Sequence, residues 1–284
     1  LFIEGDPADG LTLRLGVGKI PFTLQWDQSY MALAFVDWAP TTRWFTGRQL
    51  GLSLRGEVKG WRWVAGLYQG DSLRAAHGQE YPTAYGEAPR THLDLRDPAP
   101  LGRPHAELVG RVSHHAGPAA VALSAAWDTH PTYARDETLR AALDGHLHWP
   151  ALDLRAGAYV ALAQTGSGAT VASHGASLLE LELRPHRRFG VALRHSAIVQ
   201  SERLRRDARR RADAQIASAD DPASMREHYA TVGDIRAEHE STVAANVSLV
   251  GDDLKLQTDA SWLRGAGVAA TDEWRVRVQA NIGF

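Results

Sequence analysis

The chain of 284 residues has no cysteine and only three lysines (Lys19, Lys59 and Lys255) among its 31 basic residues, so 28 are arginine. The missing thiol excludes disulfide scaffolds, thiolate metal centres, cysteine nucleophiles and thiol redox chemistry, and it suits an oxidising envelope compartment. No apolar run reaches the ~18 residues that a transmembrane helix needs, and mean hydropathy is -0.29. A helical membrane protein is thereby excluded. A transmembrane β-barrel is not, because its strands cross with about 9 to 11 residues and carry apolar side chains only at every second position. A large charge of one sign is also missing. With a net charge of -2, 23% charged and 44% hydrophobic residues, the composition excludes a disordered chain and a strongly basic nucleic-acid binder. The chain starts at Leu1 without a methionine or an apolar signal segment, which reads as a processed mature form or one lacking its true N-terminus.

What is present is alternation of period two. Trp274, Val276, Val278, Ala280, Ile282 and Phe284 share one face of an extended chain, with Arg275, Arg277, Gln279 and Asn281 on the other. Leu139, Ala141, Leu143, Leu147 and Trp149 alternate in the same way against Arg140, Asp144, His146 and His148. The scan yields about twelve strands, near 11–22, 48–58, 60–70, 105–115, 118–128, 138–149, 152–164, 174–184, 188–198, 239–249, 253–263 and 272–284. Short links at Lys59-Gly60, Ala116-Gly117, Pro150-Ala151, Pro185-His186-Arg187 and Gly251-Asp252 alternate with longer ones at 23–47, 71–104, 129–137, 165–173, 199–238 and 265–271. Short turns at one rim and long loops at the other describe a membrane barrel. Trp61, Trp63, Trp127, Trp149, Phe189, Trp262, Trp274 and Phe284 fall near strand ends on the apolar face, where an aromatic girdle would meet the lipid interface. The expectation is one all-β domain over 1–284, a transmembrane antiparallel barrel. A soluble β-sandwich also alternates, but its loops should not alternate long and short.

The run Leu11-Thr-Leu-Arg-Leu-Gly-Val-Gly-Lys-Ile-Pro-Phe22, then Gly47-Arg-Gln-Leu-Gly51 and Gly66-Leu-Tyr-Gln-Gly70, resembles the phosphate-selective porin O and P family of Gram-negative outer membranes. So do Asp253-Leu-Lys-Leu-Gln257 and Arg275-Val-Arg-Val-Gln279 near the end. The resemblance covers both ends, and the middle only through strand rhythm. It implies a bacterial outer-membrane location, contact with lipid and lipopolysaccharide, passage of phosphate or other small anions, and Phe284 as the signal read by the barrel-assembly machinery. Homotrimers are common among porins and are implied by resemblance only. The chain departs from the family in one respect: the family's barrels are sixteen-stranded with strands upstream of the Gly-Lys-Ile-Pro-Phe motif, which here begins at residue 18. Residues 5–10 are expected in a periplasmic turn with Leu1-Phe2-Ile3-Glu4 as the tail of a strand, and about four strands together with a signal peptide are expected upstream. A twelve-stranded barrel is the alternative.

If the apolar face meets lipid, the other lines the pore. Arg14, Arg55, Arg62, Arg111, Arg140, Arg155, Arg184, Arg194, Lys255, Arg275 and Arg277 then face inward. So do Glu57, Glu107, Asp128, Asp144, Asp153, Glu180, Glu182 and Asp259, which leaves a positive excess of three. Arginine suits anion conduction because its planar fork binds phosphate or carboxylate bidentately and is weakly hydrated, although inward arginines also pair with acids on adjacent strands. The stretch 23–47 holds Trp26, Tyr30, Phe35, Trp38, Trp44 and Phe45; a loop this aromatic is expected inside the barrel as a constriction or against a partner at the rim. The arginine-rich, mixed-sign stretch 199–238 reads as a solvated external loop.

No catalytic site is expected. Ser173-His174 and His195-Ser196 are adjacent, so their side chains point to opposite faces and cannot act as nucleophile and base. His114-His115 fails as a metal pair for the same reason. His146 and His148 share a face but show no third ligand, so a polar lumen lining is expected there, with no metal and no cofactor. Two functions remain: a passive outer-membrane channel for small anions such as phosphate, and a non-conducting barrel that docks partners of an envelope complex.

Overall fold

The computed structural model describes residues 2–27, 33–36, 39, 41–42, 48–68, 106–128, 138–164, 170–203, 206, 213, 216–217, 221–223, 226, 235–250, 254–267 and 271–282. The strands are β1 (Phe2–Ala8), β2 (Leu11–Lys19), β3 (Arg48–Val58), β4 (Trp61–Tyr68), β5 (Glu107–Ala116), β6 (Ala119–Asp128), β7 (Thr138–Trp149), β8 (Leu152–Gln164), β9 (Thr170–His186), β10 (Phe189–Gln200), β11 (Ile235–Val250), β12 (Leu254–Gly267) and β13 (Thr271–Ile282). One helical turn, α1 (Leu24–Asp27), follows β2. The strands form a single antiparallel sheet in strict chain order, with β1 and β13 as edges that are not joined to each other.

Among the described residues thirteen strands stand where about twelve and a strand tail over 1–4 were expected: the tail continues through Ala8, into the segment assigned to a turn over 5–10, and reverses at Asp9-Gly10. Gly10 supplies the positive φ of 73° that this reversal needs. Pro7 is tolerated because an edge strand leaves one row of backbone donors outside the ladder. At the β3–β4 hairpin both Lys59 and Gly60 have positive φ, 51° and 81°, the pair of left-handed residues whose twist matches that of the flanking strands.

Two short links move by a residue: β5 joins β6 through Gly117-Pro118, and β9 joins β10 through Arg187-Arg188. The connections 20–47, 69–106 and 201–234 are long as expected, but 165–169 and 268–270 are short. The difference arises because β9 and β12, at 17 and 14 residues, extend into sequence assigned to loops.

The alternation places charge inside and apolar side chains outside. Along β10, Ala192, Arg194, Ser196 and Ile198 are buried, whereas Phe189, Leu193 and Val199 are exposed. The same inversion recurs around the sheet, with Leu52, Leu67, Leu123, Leu143, Leu179, Val243 and Val278 exposed on the outer face. A soluble sandwich would bury this set. An apolar surface of this extent, opposite a charged face, is the lipid-facing wall of a membrane barrel. Trp61, Trp149 and Phe189 lie on it near the short-turn rim, and Trp127, Trp262 and Trp274 near the other. Trp262 and Trp274 stack at 6.2 Å between centroids. The two rows suit the two lipid interfaces.

Candidate functional site

The inward face is crossed by chain from the β2–β3 connection. Ile20, Phe22 and Ala39 pack with Tyr68, Val109, Ala126, Ala142, Tyr159, Ala161, Leu178 and Ile198, the inward apolar residues of β4 to β10. Ala34 and Phe35 pack on Ala192 of β10 and Ala244 of β11. The backbone of this inserted stretch is bonded by the wall. Gln257 and Lys255 donate to the Leu33 carbonyl, Asn246 donates to the Ala34 carbonyl at 2.8 Å, and the Val36 amide donates to Asp259 Oδ2 at 2.9 Å. Gln25 reaches Glu180 and accepts from the Thr42 hydroxyl. These bonds replace the water that irregular backbone would otherwise require. Trp26, Asp27, Tyr30, Asp37, Trp38, Arg43, Trp44 and Phe45 have side chains outside the described residues.

Most basic residues read from the sequence as pore-lining are held by acids on the same face. Arg14 pairs with Glu4 at 2.6 Å, Arg62 with Glu57 at 2.8 Å at the exposed short-turn rim, and Arg184 with Glu182 at 2.7 Å. Arg155 meets Asp153 at 2.8 Å and Glu180 at 3.6 Å. Arg194 pairs with Glu240, lies 3.9 Å from Glu180 and sits 4.4 Å from the Phe35 ring centre. Arg277 grips Asp259 bidentately at 2.7 and 3.0 Å, and Arg275 lies 3.8 Å from Glu273. Arg140 and Glu107 form a wholly buried pair, with the Arg140 guanidinium 5.0 Å from the Phe22 ring centre. Arg111 donates to the Thr23 carbonyl at 3.4 Å. Arg55, half-buried on β3, has no hydrogen-bond partner for its Nε among the described residues. Phe284, the residues of 71–104 and most of 199–238 lie outside the described residues.

Sequence counting missed five inward acids: Glu4, Asp6, Glu238, Glu240 and Glu273. Glu240 was legible from its period-two relation to Thr242 and Ala244. Glu238 was hidden because β11 begins at Ile235, four residues before the expected start. With these five, the inward face has no excess of positive charge among the described residues, a correction to the excess of three.

The charge is instead close to balanced on both walls. On β1–β4, Arg14, Arg55 and Arg62 face Glu4, Asp6 and Glu57, and on β8–β13 the acids Asp153, Glu180, Glu182, Glu238, Glu240, Asp259 and Glu273 face Arg155, Arg184, Arg194, Lys255, Arg275 and Arg277. A further cluster missed in the sequence is at the short-turn rim: Asp153 Oδ2 lies 3.0 Å from His146 Nε2 and 2.8 Å from His148 Nδ1. Pairing in the β7–β8 ladder, which sets Asp153 opposite His148, is the signal that would have found it.

No family model matches the chain, and no curated protein matches it. Solved structures do. An anion-selective porin from Comamonas acidovorans superposes with a TM-score of 0.60 at 12% identity, over 98% of this chain and 75% of the porin. OprB of Pseudomonas putida, in a high-pH structure, gives 0.61 at 12% identity over 98% and 71%. The outer-membrane channel DcaP of Acinetobacter baumannii gives 0.56 at 8% identity over 94% and 70%. Likeness at these identities concerns the fold. The chain has the fold of a membrane-spanning antiparallel β-barrel of the porin type.

Proposed function

We propose that the chain forms a passive diffusion channel in the bacterial outer membrane, with a preference for small anions such as phosphate. The observation that carries the channel reading is the inversion of the sheet, apolar outside and charged inside, with an irregular segment bonded across the charged face. Irregular backbone at membrane depth is tolerated where it lines a cavity within protein, and a segment inside a wide barrel narrows the path. The short-turn rim faces the periplasm and the long connections face outward, as in other barrels of this kind.

Anion preference is supported by the arginines that line β2–β5 rather than by a net excess of charge. An anion passing along β2–β5 meets Arg14, Arg55 and Arg111, whose planar, weakly hydrated guanidinium groups replace part of its water. Pairing with Glu4 moderates Arg14, so Arg55 is the residue on which preference turns. Phosphate as solute rests on the resemblance of the Gly-Lys-Ile-Pro-Phe and strand-end motifs, as do lipopolysaccharide contact, trimer formation and recognition of Phe284 during barrel assembly.

The test is single-channel recording of the purified protein in a planar bilayer under a potassium chloride gradient, then with phosphate. The expected result is stable conductance with an anionic reversal potential, reduced by millimolar phosphate, and moved toward cations by Arg55→Glu. A conducting protein with cationic preference would overturn the anion assignment. The complete burial of Ile20, Phe22, Thr23, Ala39, Thr41 and Thr42 favours a second reading, a non-conducting barrel that docks envelope partners. Insertion without conductance would support it and end the channel reading.

A further inference from the structure

We propose that His146, His148 and Asp153 form a site for a divalent transition-metal ion of the zinc class, at the short-turn rim of the inward face. The placement follows from strand geometry. His146 and His148, two residues apart on β7, project to one face, and the tight Pro150-Ala151 turn returns the chain so that Asp153 pairs with His148 and lies diagonal to His146. The Asp153 carboxylate oxygen Oδ2 sits 3.0 Å from His146 Nε2 and 2.8 Å from His148 Nδ1, and the three candidate ligand atoms all lie within 4.8 Å of one another. The imidazole rings are 5.9 Å apart between centroids, inclined at 55°. Two nitrogens and one carboxylate oxygen converging from separate side chains are the donor set of a three-ligand zinc site, in which bonds of about 2.0–2.2 Å leave a fourth position open.

Two further features support a metal over a simple histidine–aspartate hydrogen-bond cluster. The ligands form a graded mouth, with Asp153 buried, His146 a quarter exposed and His148 half-exposed at 53%, so an ion can enter from the rim onto an anchored base. Arg155 lies 2.8 Å from the other carboxylate oxygen, Oδ1, as an ion pair without a hydrogen bond, and Oδ2 is the oxygen turned to the histidines. The Arg155 charge is shared with Glu180 at 3.6 Å, and Glu182 of β9 faces Asp153 in the ladder, so the surroundings do not repel a dication.

The site stands on side-chain geometry and is independent of whether the barrel conducts. The experiment uses the full chain folded in detergent, stripped with a chelator and titrated with Zn²⁺ by calorimetry and with Co²⁺ by optical absorption. One ion per chain is expected, with the intense visible band of four-coordinate Co²⁺. His148→Ala, at an exposed position that leaves the buried Asp153–Arg155 pair intact, should weaken binding by at least about tenfold, and His146→Ala with His148→Ala should abolish it and the cobalt band. His195→Ala, on the outer face, should bind as the parent does. Circular dichroism and slow migration of the unheated protein report that each variant is folded. Absence of binding by the parent, or equal affinity in the folded double variant, would overturn the proposal.

Discussion

Arg140 and Glu107 illustrate the physics of single residues in this barrel. Both are wholly buried between the wall and Phe22, so neither charge has water to fall back on. Removing one partner of such a pair leaves an uncompensated buried ion, whereas replacing both with uncharged groups of similar volume is far less costly. Arg140→Ala is therefore expected to lower stability by about 3–5 kcal/mol, and Arg140→Met with Glu107→Gln to restore most of it, in urea unfolding from lipid vesicles. Full loss of stability in the double variant would refute the pairing argument. Arg140 was legible in the sequence as an inward residue, but its partner was not, since Glu107 is on β5 and β6 runs between them. At Gly51 the backbone is approached closely: a Cβ there would meet the Tyr68 ring and come 2.6 Å from the Leu67 carbonyl oxygen. Gly51→Ala should therefore displace Tyr68 from its buried place, detectable as increased quenching of tyrosine fluorescence.

At the scale of elements, the strands were readable because a half-buried strand imposes period two on its own sequence. β3, β7 and β8 fall where the alternation put them, at Arg48–Val58, Thr138–Trp149 and Leu152–Gln164. The first half of β1 was read as a strand tail, but its second half was not, because Gly5, Asp6 and Pro7 carry turn chemistry and only pairing with β2 draws them into the sheet. β9 and β12 overran their expected ends for a related reason: Thr170–His174 and Arg264–Gly267 have weak alternation and are ordered by neighbouring ladders. The outward face makes its own prediction. Leu143, exposed in the middle of β7, should tolerate Ala with little change, whereas Leu143→Arg should destabilise the barrel in lipid by about 2–4 kcal/mol. The same substitution in detergent, where the charge reaches water, should cost much less; equal costs in the two media would argue against lipid contact at this position.

At the scale of the whole molecule, the decisive arrangement is the bonding of residues 33–36 to β11 and β12. Asn246, Lys255 and Gln257 all donate to carbonyls of Leu33 or Ala34, so the inserted stretch is fixed from one wall. Asn246→Ala with Gln257→Ala should loosen it, raising single-channel conductance and adding a protease cleavage near residue 33. Unchanged conductance with new cleavage would place the limiting constriction elsewhere. Sequence by itself determined the fold class, the inward and outward faces and the position of most strands, because alternation is a local property that each strand records in its own residues. Only the tertiary structure decided which acid holds which arginine, where the β2–β3 connection goes, how far β1 runs, and that Asp153 meets His146 and His148. Those outcomes depend on register between strands, and register joins residues far apart in the chain through contacts that no single segment encodes.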